Sequence, residues 1–399
     1  MTASEIKKQD AQNVMQTYAR YDVVIERGEG ATLYDPDGKK YIDFTGGIGV
    51  NSIGYGNKKW ADAIYEQAMK LQHISNLFLS EPYVRLAKTL TKRAGMENVF
   101  FANAGGEANE GLIKLARKYS FDKYGKGRST IISLVQSFHG RTITTLAATG
   151  QEAFHNYFFP FTEGFLHIPA HDINALNAAL TDDVCALLIE LIQGEGGVIP
   201  LQKEYVAEIA KICKEKDILL LVDEVQTGVG RTGSLFAFSQ YGIEPDAVTF
   251  AKGIAGGLPM GGIMANEKCS KVLTAGTHAT TFGGNPVAAA GAIEVLNQLD
   301  DAALCEVTKK GEYIKGKIIG WNDPLVGEIR GLGLMLGISI REREGWPKPS
   351  AIAKKCVENG LLILTAGSDA VRMLPPLTIT YDEIDKGLEI LKAVLDSFK

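Results

Sequence analysis

Between residues 98 and 265 the chain alternates short, almost wholly apolar runs with longer stretches of helical periodicity. Few architectures accommodate that pattern. The runs cover 98–102, 129–134, 185–189, 218–222, 247–250 and 262–265. A strand with one wet face alternates apolar and polar side chains, whereas these runs are apolar at nearly every position. They therefore read as strands of a parallel sheet covered by helices on both faces. Helical patterns over 108–119 and 205–216 supply such covering segments. The expected class is α/β, with a mostly parallel central sheet flanked by helices. The two ends differ. Residues 23–53 mix strand-like pieces with turns such as Asp35-Pro36-Asp37-Gly38, and the chain beyond about 300 has an α+β pattern. The expected organisation is a large domain over 56–290, with a smaller α+β domain assembled from 1–55 and 291–399.

Composition removes several function classes. The 42 Lys and Arg are scattered among 47 Asp and Glu, so no basic stripe for nucleic acid is expected. No apolar run approaches the roughly 20 residues that cross a bilayer. The opening MTASEIKKQDAQNVMQ is polar and lacks a signal-peptide core, so a cytoplasmic location is expected, with no membrane partner. The five cysteines stand singly with no CxxC, and Pro169 separates His167 from His171 on any helical face, so no metal site is expected.

The stretch ILLLVDEVQTGVGRTG, 218–233, contains a G-x-G-x-x-G match. A dinucleotide fingerprint needs its glycines directly between strand and helix. Here Asp223 to Thr227 intervene, and the following SLFAFSQYG makes a poor crossover helix. The glycines read instead as shaping a loop. Asp223 is the more informative residue, because open α/β sheets place ligands at the carboxyl ends of their strands. Its ordinary alternative is a cap on the next segment. Lys252, in DAVTFAKGIAGGLPMGG, follows another apolar run among small residues. A desolvated lysine loses its proton readily and attacks carbonyl compounds, although a strand-end lysine can also simply snorkel. In VFFANAGGEANEGLIKLARKYS a strand gives way at Gly105-Gly106 to a helix beginning near Glu107. The free N–H groups of such a start suit phosphate, or form only a tight turn. An acid, a lysine and a phosphate cradle at successive strand ends match the needs of pyridoxal phosphate: a partner for its pyridine nitrogen, an amine for its aldehyde and a seat for its phosphate.

With SFHGRT, LIELIQGEGG, LLLVDEVQTGVGRTG, FAKGIAGGLPMGG and THATTFGGNP in one order, the chain resembles the class III pyridoxal-phosphate aminotransferases, of the fold type I architecture. The resemblance runs from YARYDVVIERGEG to VRMLPPLTI. GRTITTLAATGQ followed by GFLHIP is most similar to the branch acting on N-acetylornithine in arginine biosynthesis. It implies a ping-pong enzyme using a small-molecule amino donor and 2-oxoglutarate, built as a homodimer with shared active sites. Lys252 and Asp223 match the catalytic lysine and the pyridine-nitrogen partner. Gly105 and Gly106 sit in the phosphate turn, Phe138 and Val225 face the two sides of the cofactor ring, and Gln226 meets its hydroxyl. Thr281 resembles the threonine that reaches the phosphate from the other subunit. Arg141 resembles the arginine for the donor's distal carboxylate, with Tyr18, Thr280 and Asn76 as further contacts there. Arg372 matches the arginine for the α-carboxylate of glutamate and 2-oxoglutarate, and Glu195 its neutralising partner. His139 is expected to be structural. The phosphate turn departs from the family's usual Ser-Gly: Ala104-Gly105-Gly106-Glu107 offers no hydroxyl, which implies weaker cofactor binding.

Overall fold

The computed structural model describes residues 1–399. Its core is a seven-stranded sheet in the order Asn98–Ala102, Gly261–Ala265, Ala247–Phe250, Leu219–Asp223, Val184–Ile189, Thr130–Leu134, Phe165–Ile168. The five strands from Ala247–Phe250 to Phe165–Ile168 are mutually parallel. Gly261–Ala265 corrects the parallel reading, since it runs antiparallel to both of its neighbours. The reason is length: only residues 251–260 join it to Ala247–Phe250, and a parallel crossover needs a dozen or more. Phe165–Ile168 was not anticipated. It is an edge strand exposing Leu166 and His167, so it lacks the continuous apolar run of the others.

Val184–Ile189, Leu219–Asp223 and Ala247–Phe250 are buried at every position. Successive side chains feed opposite faces, as strand geometry requires. Leu219 and Leu221 join the cluster under the Gly105–Tyr124 helix, with Leu112 and Ala116. Leu220 and Val222 join the larger cluster, with Val206 and Ile209 of the Lys203–Glu215 helix. Both faces are therefore sealed, and Leu221→Ala would cost about 2–5 kcal/mol.

The two ends of the chain meet in one sheet, where Leu361–Leu362 pairs in parallel with Lys40–Asp43, beside Thr32–Tyr34 and Arg27–Glu29. A second four-stranded sheet holds Val326–Leu332, Met335–Ile340, Ala370–Met373 and Leu364–Ala366. No helix is long and apolar enough to cross a membrane.

Candidate active site

Asp223 ends one parallel strand, Lys252 lies two residues beyond the next, and Gly105 three beyond Asn98–Ala102. All three open onto a cavity of about 690 Å³, which is also lined by Gly106, Phe138, Arg141, Val225 and Gln226. The sheet thus brings together all the expected cofactor contacts except Thr281.

Asp223 is buried and well supplied with donors. Its Oδ2 accepts from Asn109 Nδ2 at 2.7 Å and from His139 Nδ1 at 2.8 Å, and its Oδ1 accepts from the Val225 N–H at 3.0 Å. Burial alone would raise the carboxyl's pKa. The His139, Val225 and Asn109 bonds together outweigh it and hold the group below the usual carboxylate range. Asp223 therefore stays ionised. The Thr249 hydroxyl has one proton, and Asn109 Oδ1 at 3.0 Å competes for it better than Asp223 Oδ1 at 3.3 Å. That leaves Oδ1 an acceptor site for a protonated ring nitrogen.

Lys252 begins the short turn to Ala255 with φ 44, a left-handed conformation that costs a non-glycine residue on the order of 1–3 kcal/mol. Burial lowers the pKa of its ammonium despite the nearby charges of Glu195, Asp223 and Glu190, while Arg372 adds to the lowering. Its amine is primed to lose a proton.

The Gly105–Tyr124 helix starts two residues earlier than expected, so both glycines lie in its first turn. Ala104 is its N-cap and makes no side-chain capping bond. The first-turn N–H groups are left for an anion, and the helix dipole favours one. A Cβ on Gly105 would stand 2.7 Å from Val225 Cγ1, so the closeness of turn and Val225 depends on glycine. A glycine cradle beside an ionised carboxylate and an amine whose pKa burial lowers fits pyridoxal phosphate.

The Phe138 ring meets Phe154 edge-on at 5.9 Å. The Arg141 guanidinium sits 4.0 Å from the Phe154 centroid and 5.6 Å from that of Phe138. Stacking holds this exposed arginine at the cavity rim. Arg372, on Ala370–Met373, is almost wholly buried. Its Nη1 donates to Glu195 Oε1 at 2.7 Å, and to Gln226 Oε1 and the Gly194 carbonyl at 3.2 Å each. Gln226 Nε2 returns a bond to Glu195 at 3.2 Å. Burial would raise the Glu195 pKa, but the charges of Arg372 and Lys252 and the bonds from Arg372 and Gln226 keep it low. Gln226 thus belongs to the Glu195–Arg372 network as well as to the cavity wall.

Four expected substrate or cofactor contacts, Tyr18, Asn76, Thr280 and Thr281, lie apart from this cavity, and the Glu195–Arg372 pair reaches it through Gln226. Tyr18 is 73% exposed, and its ring stacks under Arg20. Thr280 and Thr281 line a different depression, with Asn76, Phe101 and His278. Asn76 donates to the carbonyls of Thr280 and Gly283, so it shapes that turn and not the donor end of the cavity. Conversely, sequence reasoning missed Asn109 and Glu190. Asn109 was detectable as a polar residue within the apolar stripe Ala108, Leu112, Ile113, Ala116. Glu190 accepts from the Phe138 and Gly194 N–H groups, and burial pushes its pKa up to about 7.

The family model for aminotransferase class-III matches residues 14–395. The chain belongs to the class III aminotransferases. It is a pyridoxal-phosphate-dependent transaminase of that family. It is 49% identical over 396 residues to the acetylornithine aminotransferase of Haemophilus ducreyi, covering 99% of both chains. The ornithine aminotransferase of Toxoplasma gondii, solved with pyridoxal phosphate at partial occupancy, superposes with TM-score 0.93 at 32% identity, over 99% of this chain and 95% of that one. The N-acetylornithine aminotransferase of Stenotrophomonas maltophilia does so with TM-score 0.84 at 34% identity, over 98% of each.

Proposed function

We propose that the protein carries the ω-amino group of N2-acetylornithine to 2-oxoglutarate by ping-pong transamination, giving N-acetylglutamate semialdehyde and glutamate and serving arginine biosynthesis in the cytoplasm. The observation that carries the reading is the Glu195–Arg372 pair, closed at 2.7 Å within the charge field of Lys252. One pocket must accept methylenes beside the reacting carbon of one substrate and an α-carboxylate in the same place on the other. With Glu195 holding Arg372, the charge is neutralised and the ω-amine donor fits. When 2-oxoglutarate arrives, its carboxylate takes over the guanidinium and Glu195 swings away. Arg141 at the rim takes the donor's distal carboxylate.

Bound pyridoxal phosphate supplies an aldehyde for amines and a ring that accepts electrons from the substrate carbon. Asp223 would hold the ring nitrogen protonated, Val225 and Phe138 would flank the ring, and the first-turn N–H groups after Ala104 would hold the phosphate. With the group bound, Lys252 Nζ would face its aldehyde and would be the base placed to move a proton to and from the substrate carbon. Asn109 and His139 keep the Asp223 carboxylate aimed and ionised.

The proposed assembly is a homodimer in which Thr281 reaches the partner's phosphate site and Thr280 its substrate. Support comes from exposed apolar side chains around the Thr280–Thr281 depression: Leu77 is 90% exposed, Leu79 93% and Phe282 62%. Such clustering marks a surface that another chain covers. Glutamate formation from 2-oxoglutarate, measured with N-acetylornithine, succinylornithine, ornithine and 4-aminobutyrate in turn, tests the donor. N-acetylornithine should give the highest kcat/KM. A lead for any other amine overturns the donor assignment, and no glutamate from any of them overturns the reaction.

A further inference from the structure

The GVGRTG loop, 228–233, contains a buried cation. Arg231 is 2% exposed and forms no ion pair. Its Nη1 donates to two main-chain carbonyls, Leu334 at 3.0 Å and Pro375 at 2.5 Å, while Nη2 is buried without a partner. Burial pushes its pKa down to about 9, with only the Asp43 charge offsetting it. An unpaired buried cation is costly, so its retention calls for a role beyond filling space.

Its two carbonyls supply one. Met335–Ile340 and Ala370–Met373 pair antiparallel, with Leu336 opposite Met373 and Gly337 opposite Arg372. Leu334 lies two residues before Leu336, and Pro375 two after Met373. Arg231 therefore bridges both strands at the open end of the ladder that carries Arg372. The attachment is reciprocal, since the Leu334 N–H donates to the Arg231 carbonyl at 3.0 Å. It is also close: at Gly333, φ +54, a Cβ would meet the Thr232 carbonyl carbon at 2.5 Å. The segment after Asp223 thus grips the Arg372 ladder twice, through Gln226 at the guanidinium and through Arg231 at the ladder's end.

We propose that Arg231 is a positioning residue for Arg372, fixing the guanidinium where it must meet a substrate α-carboxylate once Glu195 has left. This rests on the reading that Arg372 receives that carboxylate. The closed state has Glu195, Gln226 and the Gly194 carbonyl to hold the guanidinium, so it leans less on Arg231. The open state has lost Glu195 and depends on the ladder's placement. Loss of Arg231 should therefore act on the keto-acid half of the cycle and spare the amine half.

The test is steady-state kinetics on holoenzyme carrying Arg231→Met, Arg231→Gln or Arg231→Lys, with 2-oxoglutarate and the wild type's preferred amine varied in turn. In Arg231→Met the KM for 2-oxoglutarate should rise roughly tenfold, while that for the amine stays within about twofold. Arg231→Lys, which keeps a cation and its donors, should recover most of the loss. Equal changes in both KM values, or none in either, overturn the proposal. If Arg231→Met does not fold, the same ratio in Arg231→Gln decides. A wild type that prefers another amine would refute only the donor assignment. A wild type that gains nothing from Arg372 toward 2-oxoglutarate, judged by Arg372→Lys, would refute the reading beneath this one.

Discussion

Replacing Glu195 by glutamine removes one charge and changes little in volume, so it isolates the pair at the centre of the substrate exchange. The Nη1–Oε1 contact is 2.7 Å, Arg372 is 3% exposed, and the Glu195 side chain is 27% exposed. At the intermediate dielectric of such a site, the raw attraction between charges about 4 Å apart is about 4 kcal/mol. Desolvation offsets much of this, and hydrogen bonds to charged groups contribute a net ~1.5–3 kcal/mol. In Glu195→Gln the closed state should weaken by that amount, because only neutral partners remain for Arg372: Gly194, Gln226 and the new amide. Donors presenting methylenes to Arg372 should therefore bind less well, with a KM increase of roughly ten- to hundredfold. Substrates presenting an α-carboxylate no longer displace a competing anion, so the KM for 2-oxoglutarate should fall. Initial rates across a matrix of both substrates read the two effects independently. If both KM values move in the same direction, Glu195 is not the group that alternates with substrate for Arg372.

Other consequences can be measured separately. Gly105→Ala places a methyl 2.7 Å from Val225 Cγ1 and should cost about 1–3 kcal/mol in cofactor binding, read as roughly tenfold or more faster loss of pyridoxal phosphate on dialysis. Ala104→Ser supplies the N-cap hydroxyl that the Gly105–Tyr124 helix lacks. It should raise the melting temperature of the cofactor-free protein through about 0.5–2 kcal/mol of helix capping. Glu224 is fully buried, and burial lifts its carboxyl to about 7, above the ordinary value of 4.5. The folded state then holds a proton that the unfolded chain releases. Its contribution is complete below pH 4.5 and is lost as pH rises through 7. Glu224→Gln should accordingly raise Tm at pH 8 more than at pH 5.5, by differential scanning calorimetry; the opposite order would mean that the carboxylate is stabilised as an anion.

Much of the site could be read in the chain because it stands at the ends of strands that are apolar throughout. An acid after LLLV and a lysine after VTFA interrupt runs that nothing else interrupts, and the sheet delivers both to one edge. Strand direction was another matter. GGIMA is as apolar as its neighbours, and only the short connection from Phe250 shows that it must turn back. The edge strand Phe165–Ile168 gave a weaker signal because half of it faces outward. Asn109 was overlooked because one amide in an apolar helical stripe resembles an ordinary buried polar residue until Asp223 is placed opposite it. Arg231 was passed over with its glycines, since its partners are carbonyls more than a hundred residues further along. Thr280 and Thr281 line a separate depression, and their short polar side chains gave no sign in the sequence that the fold would keep them off the cavity wall.

The most direct test of the account is an absorption spectrum of the purified protein with pyridoxal phosphate, followed by titration with N-acetylornithine. The account predicts a band near the visible edge that N-acetylornithine bleaches, that 2-oxoglutarate then restores, and that Lys252→Ala lacks. A Lys252→Ala protein that keeps the same band and the same bleaching would contradict the assignment of Lys252, and with it the chemistry built on this cavity.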